Sequence, residues 1–490
     1  MADVYGVNLN TVPNRIKPYA PKPNLYAFFI ALGLSLLKDN SKISYIIPQT
    51  ILTANDLDVL RYHLSKNTNI EKLITFAGKM FIGRGLKQKH PVATSSLIFV
   101  VNNSKITNGK IEIVNYEGSC IDNFQEYFPH AKKWTNKIQQ QELCDNVENW
   151  NFISKNSKSV NLLKDYSVSS LSIDEFRDKL NESCDLVFDG GVKIKQNLVK
   201  TRQGQNDYEV FDYKKNNWQL FKPINSILFY PQNAPIEFIP GSQKLRAFRK
   251  KYKIIWRTKF NNKFQYTTKP ILLLNNQSLI VSSDSKSNIL FLFSCLNSGV
   301  NLLILREKLL LPNETNYLVP IKAIKQYIRI PKITKENQFI KDEIILRAEE
   351  MLDLEDCQLQ NFVDFSNITK QKFDSAEVRG NNLILTKDGE EYKAPIKKKK
   401  DVVVSVLKEQ FGDKSFLSSE IILSEFKYLL AIDKVLQESL KDYIDDLVFA
   451  LYFNIPVKKI GLNLASQIKE LCRKNKFYDY IQKEMQENIK

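Results

Sequence analysis

The chain has 490 residues, room for two to four domains, and its 43% apolar content is enough to bury ordinary cores. A formal net charge of +17 points to a polyanionic partner, nucleic acid first, although an A/T-rich coding bias toward Lys, Asn and Ile accounts for part of the excess. Six scattered cysteines with no C-x-x-C pair and three unclustered histidines argue against zinc ribbons, disulfide frameworks and His-based metal centres, and suit a reducing cytoplasm.

Residues 1–23, with Pro13, Pro18, Pro21 and Pro23, read as an irregular lead-in without the apolar core of a signal peptide. The apolar run Leu25–Leu37 is too short to span a bilayer and predicts a buried helix capped by Asn24. A turn at Lys38–Lys42 leads to a strand, Ile43–Ile47, that ends at Pro48. Thr53 or Asn55 opens a helix to about Lys66, and strands follow at Ile70–Phe76 and Ser96–Val101. This alternation predicts an α/β domain with a partial doubly wound sheet. The sheet expected is an incomplete one. It has no D-x-F-x-G-x-G, G-x-G-x-x-G or G-x-x-x-x-G-K-[ST] turn to hold a cofactor or phosphate.

Residues 105–180 are polar, with weak strands near Ile111–Val114 and helices near Ile121–Phe128 and Ile173–Leu180. Short β-rich runs then occur at Leu186–Phe188, Ser226–Tyr230, Lys253–Arg257, Ile271–Leu274 and Leu279–Val281, followed by a helix at Ile289–Leu296. Residues 336–355 look helical, Asn382–Tyr392 is a β-rich patch, Lys397–Lys400 reads as a solvated tether, and 401–488 are mostly helical.

The block Asn24–Val101, NLYAFFIALGLSLLK…YIIPQTIL…KMFIGRG…VATSSLIFVV, resembles the central part of adenine-N6 DNA methyltransferases of the Taq-like and type IIG restriction–modification families. So do LVFDGGVKIKQ (Leu186–Gln196), YKIIWRTKFNNKFQY…ILLLNNQSLIV (Tyr252–Val281), ILFLFSCLNSGVNLLI (Ile289–Ile304) and LVPIKAIKQYIRIPKI (Leu318–Ile333), which resemble their target-recognition domain. The resemblance implies a Rossmann-like methyltransferase sheet, a mixed α+β target-recognition domain and a helical C-terminal region. It divides the chain into 1–23, 24–118, 119–183 (a connector), 184–335, 336–400 (a linker with the β-rich patch and Lys run) and 401–490. It also implies S-adenosylmethionine as cofactor, whose motif this sequence does not show. N-P-P-Y, which polarises the adenine amino group, is not found either. Ala2–Gly6 can be read as its ruined relic, with Tyr5 in the Tyr position.

Phe81, in KMFIGRG, matches the family aromatic that stacks on a flipped-out adenine; packing beneath a loop is the alternative. Arg84, Lys87 and Lys89 would make the loop beyond it a phosphate contact or a solvated surface. From Gly241 to Pro270 the sequence carries cations and aromatics and no acidic residue. Lys244, Arg246, Arg249, Lys250, Lys253, Arg257, Lys259 and Lys263 are its candidate phosphate contacts. Asn261, Asn262 and Gln265 are its candidate base readers, and the alternative is a strand pair with a solvated basic face. Gly190-Gly191 reads as a tight turn. Asp445 and Asp446, adjacent on one helix, point in different directions and read as structural. Glu390–Lys393 matches a nuclease pattern only loosely.

The expectation is therefore a cytoplasmic, double-stranded-DNA-reading part of an adenine-specific methyltransferase with no catalytic or metal site of its own. A partner chain would supply the N-terminal half, and no membrane is involved. A decayed, inactive fragment and a free-standing DNA-binding protein are the other readings.

Overall fold

The computed structural model describes residues 25–54, 57–76, 95–104, 109–116, 129–154, 157–180, 186–190, 247, 250–260, 262–268, 278–310, 317–412 and 420–486. The chain divides into two compact units, Met1–Asp165 with Ile304–Val319, and Tyr166–Leu303 with Pro320–Lys490. The architecture is mixed α/β throughout.

In the first unit, helix α1 (Leu25–Leu36) contains no charged residue. It crosses strand β1 (Lys42–Pro48) at Gly33, where an added Cβ would lie 2.6 Å from Ile43 Cδ1 and 2.8 Å from Tyr45 Oη, so a larger residue there would make these side-chain ends shift. Helix α2 (Asp58–Asn67) leads to β2 (Asn69–Phe76), and β3 (Ser96–Asn102), β4 (Lys110–Tyr116) and β5 (Lys133–Gln139) complete a sheet of order β1-β3-β2-β4-β5. β3 lies antiparallel between β1 and β2, so β1, α2 and β2 form a β-α-β unit split by an inserted strand. β2 pairs in parallel with β4, and β4 antiparallel with β5. Only that one pairing among the described strands is parallel, fewer than a doubly wound sheet would have, because β3 and β5 each return antiparallel to their neighbours.

The core beneath this sheet contains Ile47, Leu52, Leu60, Leu73, Phe99, Ile111, Leu143 and Trp150. Inside it lies a fully buried cation. The Arg61 guanidinium donates to the carbonyls of Ile51 (2.7 Å), Ala54 (2.9 Å), Val147 (2.5 Å) and Glu148 (2.8 Å). It ties the turn after β1 to the segment after helix α3 (Gln140–Asp145).

In the second unit, β6 (Ser170–Ser172) pairs with β11 (Arg329–Pro331). A four-stranded antiparallel sheet has the order β7-β10-β8-β9, from β7 (Val187–Asp189), β8 (Tyr252–Arg257), β9 (Gln265–Thr267) and β10 (Ser278–Ser283). Helix α4 (Lys286–Asn297), buried from Asn288 onward, packs on it, and α5 (Gly299–Leu309) follows. Among the described residues no single helix is long and apolar enough to cross a membrane; α4 and α5 reach that length only as a pair bent by 59°. A buried knot joins distant parts: Tyr452 Oη accepts from Asn301 Nδ2 (2.8 Å) and donates to Arg329 O (2.6 Å), and Arg329 N donates to Tyr166 Oη (2.8 Å).

Helices α6 (Gln338–Glu355) and α8 (Lys434–Tyr452) flank a separate small core running from Leu359 to Ala431. It holds a meander of β13 (Ser375–Arg379), β14 (Asn382–Lys387) and β15 (Glu390–Pro395), the short pair β12 (Lys372–Phe373) and β16 (Ile421–Ile422), and helix α7 (Lys400–Phe411). Asp388 and Gly389, both at positive φ, make the two-residue β14–β15 turn that an Asp-Gly pair favours. Stretches expected as a linker (336–400) and as the start of a helical region (from 401) thus share one core.

Asp445 and Asp446 diverge from α8. Asp445 accepts from the Gly299 N–H at the start of α5 (2.8 Å), and burial pushes its carboxyl up to about 6. Asp446 accepts from Tyr478 Oη (2.5 Å) on α10 (Tyr478–Gln486), the last helix after α9 (Ala465–Arg473). Burial pushes it up to about 7 against the opposing effect of that hydrogen bond.

Two outcomes follow from these buried charges. Arg61→Leu strands four carbonyls and should cost about 3–5 kcal/mol in urea unfolding; a loss under about 1 kcal/mol would show that the clamp contributes little. Asp446 has a folded-state pKa above its unfolded one, so its contribution is fully present below the ordinary carboxylate range and is lost as pH rises through about 7. Asp446→Asn keeps an acceptor for Tyr478 and cannot ionise. Its melting temperature should match wild type near pH 4 and exceed it near pH 8, and equal values at both would remove the charge from the account.

Candidate functional site

Strands β1, β2 and β4 run the same way, so their C-terminal ends lie at one end of the first sheet. Gln49, fully buried, follows β1 there. Its Nε2 donates to Phe76 O (2.9 Å) and Ser96 O (2.8 Å), holding β2 and β3 together, while its Oε1 has no hydrogen-bond partner among the described residues. Beside it, Thr75 is hydrogen-bonded to Asn115, whose Nδ2 donates to Ile153 O (3.3 Å). The Phe76 and Tyr116 rings stack at 5.4 Å. Ligands of open α/β sheets gather at such strand ends. Phe81 follows β2 by five residues and, with Arg84, Lys87 and Lys89, lies outside the described residues. Gln49 escaped sequence reading because one Gln after a strand-ending proline carries no signal of its own.

A cofactor held at a strand end of such a sheet needs a glycine in the turn that follows the strand. The described glycines of this unit are Gly33, packed mid-helix, and Gly109, which precedes β4; neither follows the C-terminal end of a strand.

In the second unit the basic, aromatic stretch is sorted by strand alternation. Tyr252, Ile254 and Trp256 point to one face of β8, and Lys253, Ile255 and Arg257 to the other. The register places Ser282 and Thr267 beside Lys253, Ser278 beside Arg257, and Gln265 beside Ile255, so the second face is largely polar. The aromatic side is core: Trp256 packs on Phe264 (5.6 Å), Phe264 on Phe260 (4.9 Å), and Tyr266 on Phe293 of α4 (6.0 Å). These rings are packed, not offered to a ligand.

The cations divide in the same way. Lys250 is buried and ion-paired with Asp284 (3.0 Å). Burial opposes the charge on Asp284, but Lys250 and the Lys251 N–H hold its carboxyl below the usual range. Lys253 is also buried, its Nζ donating to Lys251 O (3.3 Å). Burial pulls its ammonium down to about 8, against the pull of Asp284. Neither ammonium faces solvent.

Arg257, Lys259, Asn262 and Lys263 instead gather at the turn between β8 and β9, where Lys259 and Asn262 are exposed and Arg257 and Lys263 half-buried. Asn262 sits at φ 59°, a left-handed conformation that Asn tolerates. The turn is rooted from below by Phe260 and Phe264, and the Phe264 N–H donates to Asn297 Oδ1 of α4 (3.1 Å). It is a basic turn seated on buried rings, with Lys259 and Asn262 exposed. Lys244, Arg246, Arg249 and Asn261 lie outside the described residues.

Residues 10–81 match the family model of the Eco57I restriction-modification methylase, a family that generally uses S-adenosylmethionine. No curated protein matches the chain. Among solved structures it is similar to the type IIG restriction endonuclease BpuSI, with 14% identity over 88% of this chain and 50% of that one and a TM-score of 0.27. It is also similar to the type IIL restriction-modification enzyme MmeI in complex with DNA, with 10% identity, 92% and 52% coverage and a TM-score of 0.41. The third is the DrdV–DNA complex, with 10% identity, 89% and 52% coverage and a TM-score of 0.37. The chain spans about half the length of each of these three.

Proposed function

We propose that this chain is the sequence-reading part of a site-specific adenine-N6 DNA methyltransferase in a restriction–modification system. Its β8–β9 turn would lie on double-stranded DNA, and a partner chain would supply S-adenosylmethionine binding and N-P-P-Y. The observation that carries the reading is the aromatic-rooted turn. Three cations, Arg257, Lys259 and Lys263, share this turn with the exposed Asn262, and buried Phe260 and Phe264 root it. Phosphates are held by such cations, and an amide of this kind pairs bidentately with adenine in the major groove. The methylase family match over residues 10–81 supports the same conclusion from the other unit. In this reading Phe81 stacks on the extruded adenine, which offsets part of the stacking lost from the duplex.

The test is selection of bound sequences from random duplexes, with the chain alone and with its partner. One short sequence should be enriched by the chain alone, and methylation should appear only with the partner. Asn262→Gly keeps the left-handed backbone and deletes the amide; it should relax preference at one base position by about 1–3 kcal/mol. Lys259→Ala with Lys263→Ala should weaken binding to all sequences alike and lower the salt dependence by about two phosphate contacts. Salt-sensitive binding with no enrichment would leave a decayed fragment as the better account.

A further inference from the structure

The ladder between β8 and β9 is short. It runs from Lys253 opposite Thr267 to Ile255 opposite Gln265 and closes there. Beyond it, Trp256 and Arg257 keep partners on β10, Leu279 and Ser278, so the outgoing arm of the turn stays in the sheet. The returning arm, Asn262 to Phe264, comes before β9 begins. Phe264 is fully buried, and a buried main chain outside its ladder needs other partners.

Asn297, the last residue of α4, supplies them. Its Oδ1 accepts from the Phe264 N–H (3.1 Å), and its Nδ2 donates to Phe264 O (3.4 Å) and to Phe293 O of its own helix (3.1 Å). A side-chain amide has an acceptor oxygen and two donor hydrogens. Here it meets the N–H and C=O of one residue as the main chain of an antiparallel neighbour would. Ser294 on the same helix returns its hydroxyl to Leu290 O (3.0 Å), whereas Asn297 reaches across to the sheet. The footing of Asn297 is held in turn. Ser298 Oγ donates to Cys295 O (2.7 Å), the Gly299 N–H donates to Asp445 Oδ1 of α8 (2.8 Å), and Asn301 Nδ2 donates to Tyr452 Oη of α8 (2.8 Å). The bend between α4 and α5 is thereby tied to α8.

We infer that Asn297 is a positioning residue for base reading: it sets where the returning arm of the turn leaves the core, and so the pose of Asn262. Asn262 is two residues upstream of Phe264, and two residues of chain reach at most about 7 Å. A displacement of the Phe264 main chain is therefore passed on with little chain to absorb it. Bidentate pairing of an amide with a base edge depends on angle and distance, whereas a lysine ammonium on its flexible stem holds a phosphate from many positions. Loss of Asn297 thus acts on sequence preference and spares the phosphate contacts of Lys259 and Lys263. The effect on base preference rests on the function proposed above; the anchoring of Phe264 does not.

The experiment is a double-mutant cycle on the full chain, read by selection from random duplexes and by amide hydrogen exchange. Asn297→Ser removes the amide. It should relax preference about ten-fold at the base position that Asn262→Gly relaxes, and speed exchange of the Phe264 amide about ten-fold or more. Preference at other positions, the salt dependence and the exchange of β8 and β10 should stay as in wild type. Because both residues act through one base contact, Asn262→Gly with Asn297→Ser should be no worse than Asn262→Gly alone. Asn297→Asp keeps the acceptor for the Phe264 N–H. It should retain part of the preference, and it carries the same cycle should the serine variant fail to fold. Additive effects, or equal weakening on every sequence, would make Asn297 a purely structural residue and overturn the inference, as would unchanged exchange at Phe264. Faster exchange with no base preference even in the wild type would sink the DNA reading, and the role in base reading with it, while the anchor stands.

Discussion

Successive side chains of a β-strand point to opposite faces, and both units are organised by that constraint. In β1 it sends Ile43, Tyr45 and Ile47 toward the core and α1, and leaves Ser44 and Ile46 on the other side. In β8 it separates Trp256 from Arg257 and Ile254 from Lys253. A one-residue slip would exchange these sets, placing lysine against α4 and tryptophan on the polar face. The buried ring cluster of Trp256, Phe260 and Phe264 therefore fixes the register, and the register fixes which cations can reach a partner. The aromatics root the turn above them in the core, and on the proposed reading that would lower the ordering cost of any contact it makes.

Much of the local structure was legible in the sequence. α1, β1, β2, β3 and α4 stand close to where apolar runs and their punctuation put them, because each is a strong local pattern bounded by Pro, Asn or a polar turn. The β14–β15 hairpin follows from Asp388-Gly389, a dipeptide suited to a turn with two positive φ values. Strand order was not legible, since the insertion of β3 between β1 and β2 joins residues far apart in sequence and no local pattern encodes it. β5 was missed because an exposed edge strand lacks an apolar face to alternate. The core of residues 359–431 was missed because its strands are short and its apolar residues are shared among several small elements.

The candidate site was legible as a composition and not as an arrangement. From Gly241 to Pro270 the cations and aromatics suggest a nucleic-acid footprint, and of its described cations Arg257, Lys259 and Lys263 are the ones that stand at the β8–β9 turn. Lys250 and Lys253 belong to the same run and are drawn inside, one by the Asp284 carboxylate and the other by its place on an interior face of β8. A basic stretch is thus not a basic surface. A net charge of +17 sets the sign of the long-range field and leaves the number of phosphate contacts open.

The polar atoms that remain inside carry a further implication. Gln265 Oε1 and Ser282 Oγ, on the polar face of the second sheet, have no hydrogen-bond partner among the described residues, nor has Gln49 Oε1 at the strand ends of the first. Each such atom costs about 1–3 kcal/mol relative to a satisfied one. An apolar residue at Ser282 would avoid that cost, whereas at Gln49 it would strand the Phe76 and Ser96 carbonyls that Nε2 satisfies. Amides and hydroxyls are instead the groups that read base edges or hold a polar ligand, and they do so only when not already spent on the protein. Asn102 Oδ1, at the far end of β3 from Ser96, is without a partner among the described residues in the same way, so an unsatisfied atom does not by itself mark a binding place in this fold.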